Sequence, residues 1–303
     1  LNKPKFWDKK KPNWISILLI PFSLITLSLI FLKKIFIRQK NFKIPIICIG
    51  NIYIGGTGKT PVAIFVAKEL FNLGFKPVIL RKYYKSHRDE YNMIKKSFEH
   101  LILNNSRDAG IKEAKYKGYS TVILDDGFQD YKIKKDLNIV CFNFDQLIGN
   151  GFVIPSGPLR EPLNSLKDAN VVIINGKKST SFESKILKVN KNLDIYYSHY
   201  KPVNINEFKD QKLLAIAGIA NPENFFKLIE ENNLEIKEKI IYPDHYEFKK
   251  HEIQNIINKA KKDNLKLIMT EKDYYKLHDL NRSDLNYLKV KLKIYNKEKL
   301  IKQ

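Results

Sequence analysis

The 303-residue chain has only two cysteines, two methionines and two tryptophans, and no cysteine–histidine cluster at metal-ligand spacing. That scarcity argues against a disulfide framework and against a zinc site. Cys48 and Cys141 stand instead inside apolar, strand-like runs, ICI and VCF, as expected of buried thiols in a reducing compartment. Acidic residues are short as well: 32 against 54 basic, a formal net charge of +22. Such an excess fits a polyanionic partner, whether nucleic acid, anionic lipid head groups or a phosphorylated substrate. It fits equally well a bias toward Lys, Ile and Asn throughout the chain, so charge alone decides nothing. No nucleic-acid-binding module is recognisable and no internal repeat stands out, and the reading is of a monomer that binds no nucleic acid. A hydrophobic content of 44% excludes disorder and suffices for one large or two modest domains.

What is there is organised around residues 44–61, IPIICIGNIYIGGTGKTP. A buried strand runs into a glycine-rich loop and then into the apolar helix that begins near Val62. Backbone N–H groups of such a loop wrap a phosphate chain at a helix N-terminus. Gly55, Gly56, Thr57 and Gly58 would form the cradle, Lys59 would reach the outer phosphates, and the Thr60 hydroxyl would take one position on Mg²⁺. The strict pattern G-x-x-x-x-G-K-[ST] lacks its first glycine, because Tyr53 stands there.

Upstream, residues 14–32 carry no charge and are bracketed by Lys9, Lys10 and Lys11 before and Lys33 and Lys34 after. At about 1.5 Å per residue one helix over this run would be roughly 28 Å long, close to a bilayer core. The spacing predicts a membrane-associated helix within 1–37, with spanning and in-plane placements both open because Ser16, Ser23 and Thr26 share a face. A phosphate loop needs cytosolic nucleotide, which places the rest of the chain inside.

Downstream, KPVIL (76–80) reads as a strand ending at Arg81, and TVILDDGFQD (121–130) as a strand ending in Asp125 and Asp126. A strand that ends in a carboxylate beside a phosphate loop supplies a Mg²⁺ contact. Further strands are expected at 137–142 and 171–174, separated by a rigid turn-rich loop carrying Arg160 and Glu161. Strands alternating with helices predict an α/β fold, a mostly parallel phosphate-loop sheet with helices on both faces and ligands at the carboxyl ends of its strands. The expected division is a core over 38–178 and a smaller α/β unit over 179–303, closing the active site.

The ordered set GNIYIGGTGKTP, DDGFQD, IPSGPLREPL, GIANPENFF, YPDHYEF and TEKD, with PKFWDKK at the start, resembles the tetraacyldisaccharide 4′-kinases of lipid A biosynthesis over nearly the whole chain. The resemblance implies an ATP- and Mg²⁺-dependent kinase on the cytoplasmic face of a bacterial inner membrane. It would move the γ-phosphoryl group onto the 4′-hydroxyl of a tetraacyl glucosamine disaccharide 1-phosphate. On the residues themselves Thr60, Asp126 and Glu161 would hold or orient the metal; by the resemblance Asp89 in HRDEY would be the general base, paired with His245. Arg81 and Arg160, suited to bidentate binding of phosphate, together with Asp125 and Gln129 are candidate substrate contacts. The chain departs from the family pattern in three places: Asp89 and Glu90 lack the flanking glycine and proline, Tyr246 stands where a second histidine is frequent, and Arg81-Lys82-Tyr83-Tyr84 replaces a glycine-rich stretch. A membrane-anchored phosphate-loop ATPase acting as a switch or positioning protein shares the loop, the aspartates and the anchor, but has no need of YPDHYEF or SGPLREPL.

Overall fold

The computed structural model describes all residues except 1–3, 10, 220, 245, 278–283 and 303, and omits the side chains of Ser86, Arg88 and Asp89. The described residues divide into two compact units: Leu1–Tyr83, His100–His199 and Ile294–Gln303 form the first, Tyr84–Glu99 and Tyr200–Lys293 the second.

In the first unit the strands β1 (Ile46–Gly50), β2 (Pro77–Lys82), β3 (Leu101–Asn104), β4 (Thr121–Asp125), β5 (Leu137–Asn143), β6 (Val171–Asn175) and β7 (Asp194–Pro202) pair in parallel. The helices α1 (Trp14–Leu18), α2 (Ile20–Phe36) and α3 (Lys59–Asn72) belong to this unit. The second unit opens with α4 (Arg88–Ser97), while α5 (Arg107–Tyr116) and α6 (Thr180–Leu187) return to the first. β1 through β6 are nearly continuous apolar runs because both sheet faces are covered. The last strand of the sheet comes from the far end of the chain, and the strand order reverses at β1, with β5 on one side and β4 on the other. That reversal opens a crevice at the carboxyl ends of the strands, and the glycine-rich loop leaves β1 there.

The second unit is built on β8 (Lys212–Ala217), β9 (Glu235–Ile241), β10 (Lys266–Thr270) and the short β11 (Tyr287–Leu288), in the order β11-β10-β8-β9 and all parallel. Period-two alternation along β8 explains its two cores. Leu213, Ala215 and Ala217 pack with Phe225, Phe226 and Ile229 of α7 (Pro222–Glu230) on one face. Leu214 and Ile216 pack with Ile253 and Ile257 of α8 (Lys250–Lys262) on the other. The chain continues through α9 (Glu271–Lys276) into β12 (Val290–Ile294), the strand that joins the eight-stranded sheet, and ends in α10 (Lys297–Ile301).

Two expectations differ from the structure. The parallel sheet continues through α6 and β7, so the main division falls after His199 rather than at 178, and residues 84–99 go with the second unit. The apolar run 14–32 is not one helix but two, because Pro21 in the first turn of α2 has no N–H with which to continue the ladder of α1. Among the described residues no helix is long and apolar enough to cross a membrane.

The polar face of that helix pair is docked on the loop that follows β5. Ser23 donates to the Val153 carbonyl at 2.7 Å and its Oγ lies 2.8 Å from Ser156 Oγ, and the Asn150 amide donates to Ser16 Oγ at 3.0 Å. The opposite face leaves Trp14, Ile17, Leu18, Phe22, Ile25 and Phe36 exposed.

Candidate active site

Gly58 sits at φ +86°, a left-handed conformation that suits glycine, and directly precedes the first turn of α3. Lys59 and Thr60 therefore leave the loop at the helix N-terminus, where the peptide dipoles favour anions. Tyr53, at the position of the missing glycine, is buried and donates its hydroxyl to Asp8 Oδ1 at 2.5 Å. The phenol has a structural use there, fastening the entry of the loop to the N-terminal segment.

Strand register explains the next layer. Asp125 at the end of β4 is level with Ile49 of β1 and with Arg81 of β2. Arg81 donates to Asp125 Oδ2 at 2.5 Å and to Thr60 Oγ1 at 2.9 Å, and Thr60 donates to the same carboxylate oxygen at 2.9 Å. The second oxygen, Oδ1 of the fully buried Asp125, has no hydrogen-bond partner.

Asp126 turns away from this group. It adopts φ +65°, and its carboxylate faces Lys59 Nζ at 3.6 Å and the Arg160 fork at 2.7 and 3.3 Å. Burial pushes the Asp126 carboxyl up, but Lys59, Arg160 and Arg81 outweigh it and hold the group well below the usual carboxylate range. Burial lowers the Lys59 ammonium from its ordinary value, and Asp126 opposes that shift.

Arg160 also donates to the Asn51 side chain and, at 3.2 Å, to its carbonyl; Gln129 donates to the same carbonyl at 2.8 Å. Asn51, which the sequence reading missed, is fully buried and donates in turn to Thr57 Oγ1 at 2.9 Å. Arg107 was also missed. At the start of α5 it donates to the Asp126 carbonyl at 2.6 Å and pairs with Asp130 at 3.2 Å. Arg107 lies outside every motif singled out in the sequence, and Asn51 lies inside GNIYIGGTGKTP but outside its glycine-rich, phosphate-binding core.

The structure thus brings Lys59, Thr60, Arg81, Asp125, Asp126, Gln129 and Arg160 into one linked group at the strand ends. Glu161 is fully buried, and both its carboxylate oxygens, like Asp125 Oδ1, lack a hydrogen-bond partner. Lys34 Nζ of α2 lies 3.6 Å from its Oε2 and also holds Asp168 at 2.7 Å. Asp89 lies in α4 of the second unit with only its backbone described, and His245 lies outside the described residues. Both cysteines are buried, and burial pushes their thiols up, to about 11 for Cys48 and about 12 for Cys141, so neither is poised as a nucleophile.

A cavity of about 480 Å³ opens beside Asp126 and Gln129, with Lys33, Lys40, Arg107 and Lys132 in its wall. Among the described residues no group of three or more His, Cys, Asp or Glu side chains could cage a metal. Mg²⁺ in phosphoryl-transfer sites takes one or two protein oxygens and completes its shell with water and phosphate. The orphaned Asp125 Oδ1 beside the Thr60 hydroxyl fits that requirement.

Comparison with known proteins gives one consistent picture. The tetraacyldisaccharide-1-P 4′-kinase family matches residues 15–303. A tetraacyldisaccharide 4′-kinase of Pelagibacter ubique is 43% identical over 303 residues, covering 99% of this chain and 96% of that protein. The enzyme of the same name from Francisella tularensis subsp. novicida is 32% identical over 323 residues, covering 96% and 98%. Among solved structures, LpxK from Aquifex aeolicus in complex with ATP superposes with a TM-score of 0.74 at 25% identity, covering 95% of this chain and 98% of that one.

Proposed function

The chain belongs to the tetraacyldisaccharide-1-P 4′-kinase family, and from that premise we propose that it transfers the γ-phosphoryl group of ATP to the 4′-hydroxyl of a tetraacyl glucosamine disaccharide 1-phosphate. The observation that carries this reading is the group of Lys59, Thr60, Arg81, Asp125, Asp126 and Arg160 at the carboxyl ends of a parallel sheet. Phosphoryl transfer needs positioning and charge neutralisation more than covalent chemistry, and that is what these residues supply.

The amides of 55–60 would cradle the phosphate chain. Lys59, held ready by Asp126, would neutralise its outer oxygens, and the Arg160 fork would brace Asp126 and the loop through Asn51. Asp125 Oδ1 and Thr60 Oγ1 would hold Mg²⁺, which passes the metal role from Asp126 to its neighbour, and the unpartnered Glu161 carboxylate remains a further candidate to orient the ion. Bound there, the ion would neutralise charge on the transferring phosphate. The basic cavity wall of Lys33, Lys40, Arg107 and Lys132 would receive the anionic head group of the acceptor. The acceptor hydroxyl must lose its proton as it attacks; Asp89, with His245, is assigned that task on the family resemblance.

The apolar face of α1 and α2, with Lys9, Lys11, Lys33 and Lys34 flanking it, would lie in the cytoplasmic leaflet of the inner membrane and bring a monomeric enzyme to a lipid that never leaves the bilayer.

The deciding experiment is transfer of label from γ-labelled ATP to tetraacyldisaccharide 1-phosphate in detergent micelles with Mg²⁺, beside a control without acceptor. A labelled, doubly phosphorylated lipid is the expected product. ATP hydrolysis indifferent to the lipid would instead support a switch ATPase.

A further inference from the structure

Lys272 is an oddly placed cation. It is the second residue of α9, in a first turn that otherwise carries Glu271 and Asp273, and the positive end of the helix dipole disfavours an ammonium there. The turn beneath it is rigid. Asp273 is fully buried and accepts hydrogen bonds from the Gly218 N–H at 2.8 Å, Thr270 Oγ1 at 2.6 Å and Lys276 Nζ at 2.7 Å. Its own N–H donates to the capping Thr270 Oγ1 at 3.1 Å.

From that platform Lys272 Nζ reaches two carboxylates on separate segments of the same unit: Asp244 Oδ1 at 3.0 Å and Glu90 Oε1 at 3.5 Å. Glu90 lies in the first turn of α4, which packs along α9, and the ammonium of Lys96 lies 4.8 Å from the Tyr275 ring centroid further along the same contact. An isolated exposed ion pair would fix little. Here one lysine, its side chain 17% exposed, is shared between two acids, so its removal loosens a tie common to both segments; Glu90 keeps a further contact with His87 at 3.7 Å. In sequence, Glu90 directly follows Asp89, and Asp244 directly precedes His245.

We propose that Lys272 is a positioning residue for the transfer: by joining Glu90 to Asp244 it sets the first turn of α4, and with it the Asp89 backbone, against the Asp244 loop. This rests on the reading of Asp89 as general base. Misplacement of a reacting group by about 1 Å can cost about 10²-fold in rate, which is the scale expected here.

The test measures kcat and the KM for ATP in Lys272→Met, Lys272→Arg, Glu90→Gln and the double variant Lys272→Met/Glu90→Gln, with Asp89→Asn alongside. Lys272→Met should lose about 10²-fold in kcat with the KM for ATP unchanged, and Lys272→Arg should recover most of it. Glu90→Gln should lose kcat in the same way, and the double variant should be no worse than the more impaired single one. Should Lys272→Met not fold, Glu90→Gln carries the same reading, and full kcat in it overturns the proposal. Normal kcat in Lys272→Met while Asp89→Asn is inactive would overturn the positioning role and leave the base assignment standing. Full activity in Asp89→Asn would remove the base assignment itself, and the proposal with it.

Discussion

Arg81 and Asp125 sit level on adjacent parallel strands, and the guanidinium of the first lies 2.5 Å from Oδ2 of the second. Because Thr60 donates to the same oxygen, the protein engages one side of the carboxylate and leaves Oδ1 unpartnered in the site. A buried acceptor without a partner is costly, and such an atom calls for an explanation in function.

Asp125→Asn therefore separates the two neighbouring aspartates. Transfer should fall by at least about 10²-fold, with the Mg²⁺ concentration for half-maximal rate shifted upward. In Asp126→Asn the metal midpoint should stay where it is while kcat drops. The check is a Mg²⁺ titration of initial rate in both variants; a shifted midpoint in Asp126→Asn alone would return the metal role to that residue.

Lys59→Ala removes the main cation of the phosphate cradle and leaves Asp126 with Arg160 as its remaining close partner. The expected result is loss of transfer by at least about 10³-fold in steady-state assays. Near-normal turnover would sink the phosphate-loop assignment.

Arg160 serves Asp126 and Asn51 through a planar fork, a geometry an ammonium cannot copy. Arg160→Lys should therefore restore only a small part of what Arg160→Ala loses in kcat/KM for ATP, although the charge is kept. Full restoration would reduce Arg160 to a point charge.

The lowered Asp126 value gives a signed pH prediction. A carboxyl whose folded value is depressed stabilises the fold fully above its unfolded value, near pH 4, and that contribution is lost as pH falls through the folded value. Thermal melting from pH 6 downward should show a shallower acid limb in Asp126→Asn than in the parent, with the difference confined to the region below about pH 4. Parallel acid limbs would mean that the cations around Asp126 do not act as described.

The exposed face of α2 gives the last prediction. Ile25→Asp with Leu29→Asp should abolish co-sedimentation with anionic vesicles while the melting temperature holds, since both side chains are more than half exposed. Binding by the parent should weaken as salt rises. Unchanged sedimentation of the double variant would move the membrane contact to another surface.

The sequence showed clearly those parts whose chemistry is local. The strand-loop-helix around Lys59, the paired aspartates at the end of β4 and the apolar runs of β5 and β6 follow from periodicity and glycine placement alone. What escaped depends on contacts between distant positions. Asn51 is unremarkable until Arg160, Gln129 and Thr57 converge on it. Tyr53 reads as a broken motif until Asp8 takes its hydroxyl. The break between α1 and α2 was written in Pro21 but hidden by an uninterrupted apolar composition. Residues 84–99 look like a polar connection because α4 draws on partners more than a hundred residues later in the chain, Lys272 among them.

That insertion bears on how the protein can be taken apart. The chain passes from one unit to the other at 83/84, 99/100, 199/200 and 293/294, so neither unit is a contiguous stretch of gene. A fragment starting at residue 200 would lack α4 and bare the flank of α9, and a fragment ending at 199 would lack the closing segment 294–303 while carrying α4 without its α9 partner. Deletion libraries and split-protein designs based on a single cut should yield insoluble halves, and exchange between relatives should succeed only when 84–99 and 200–293 travel together.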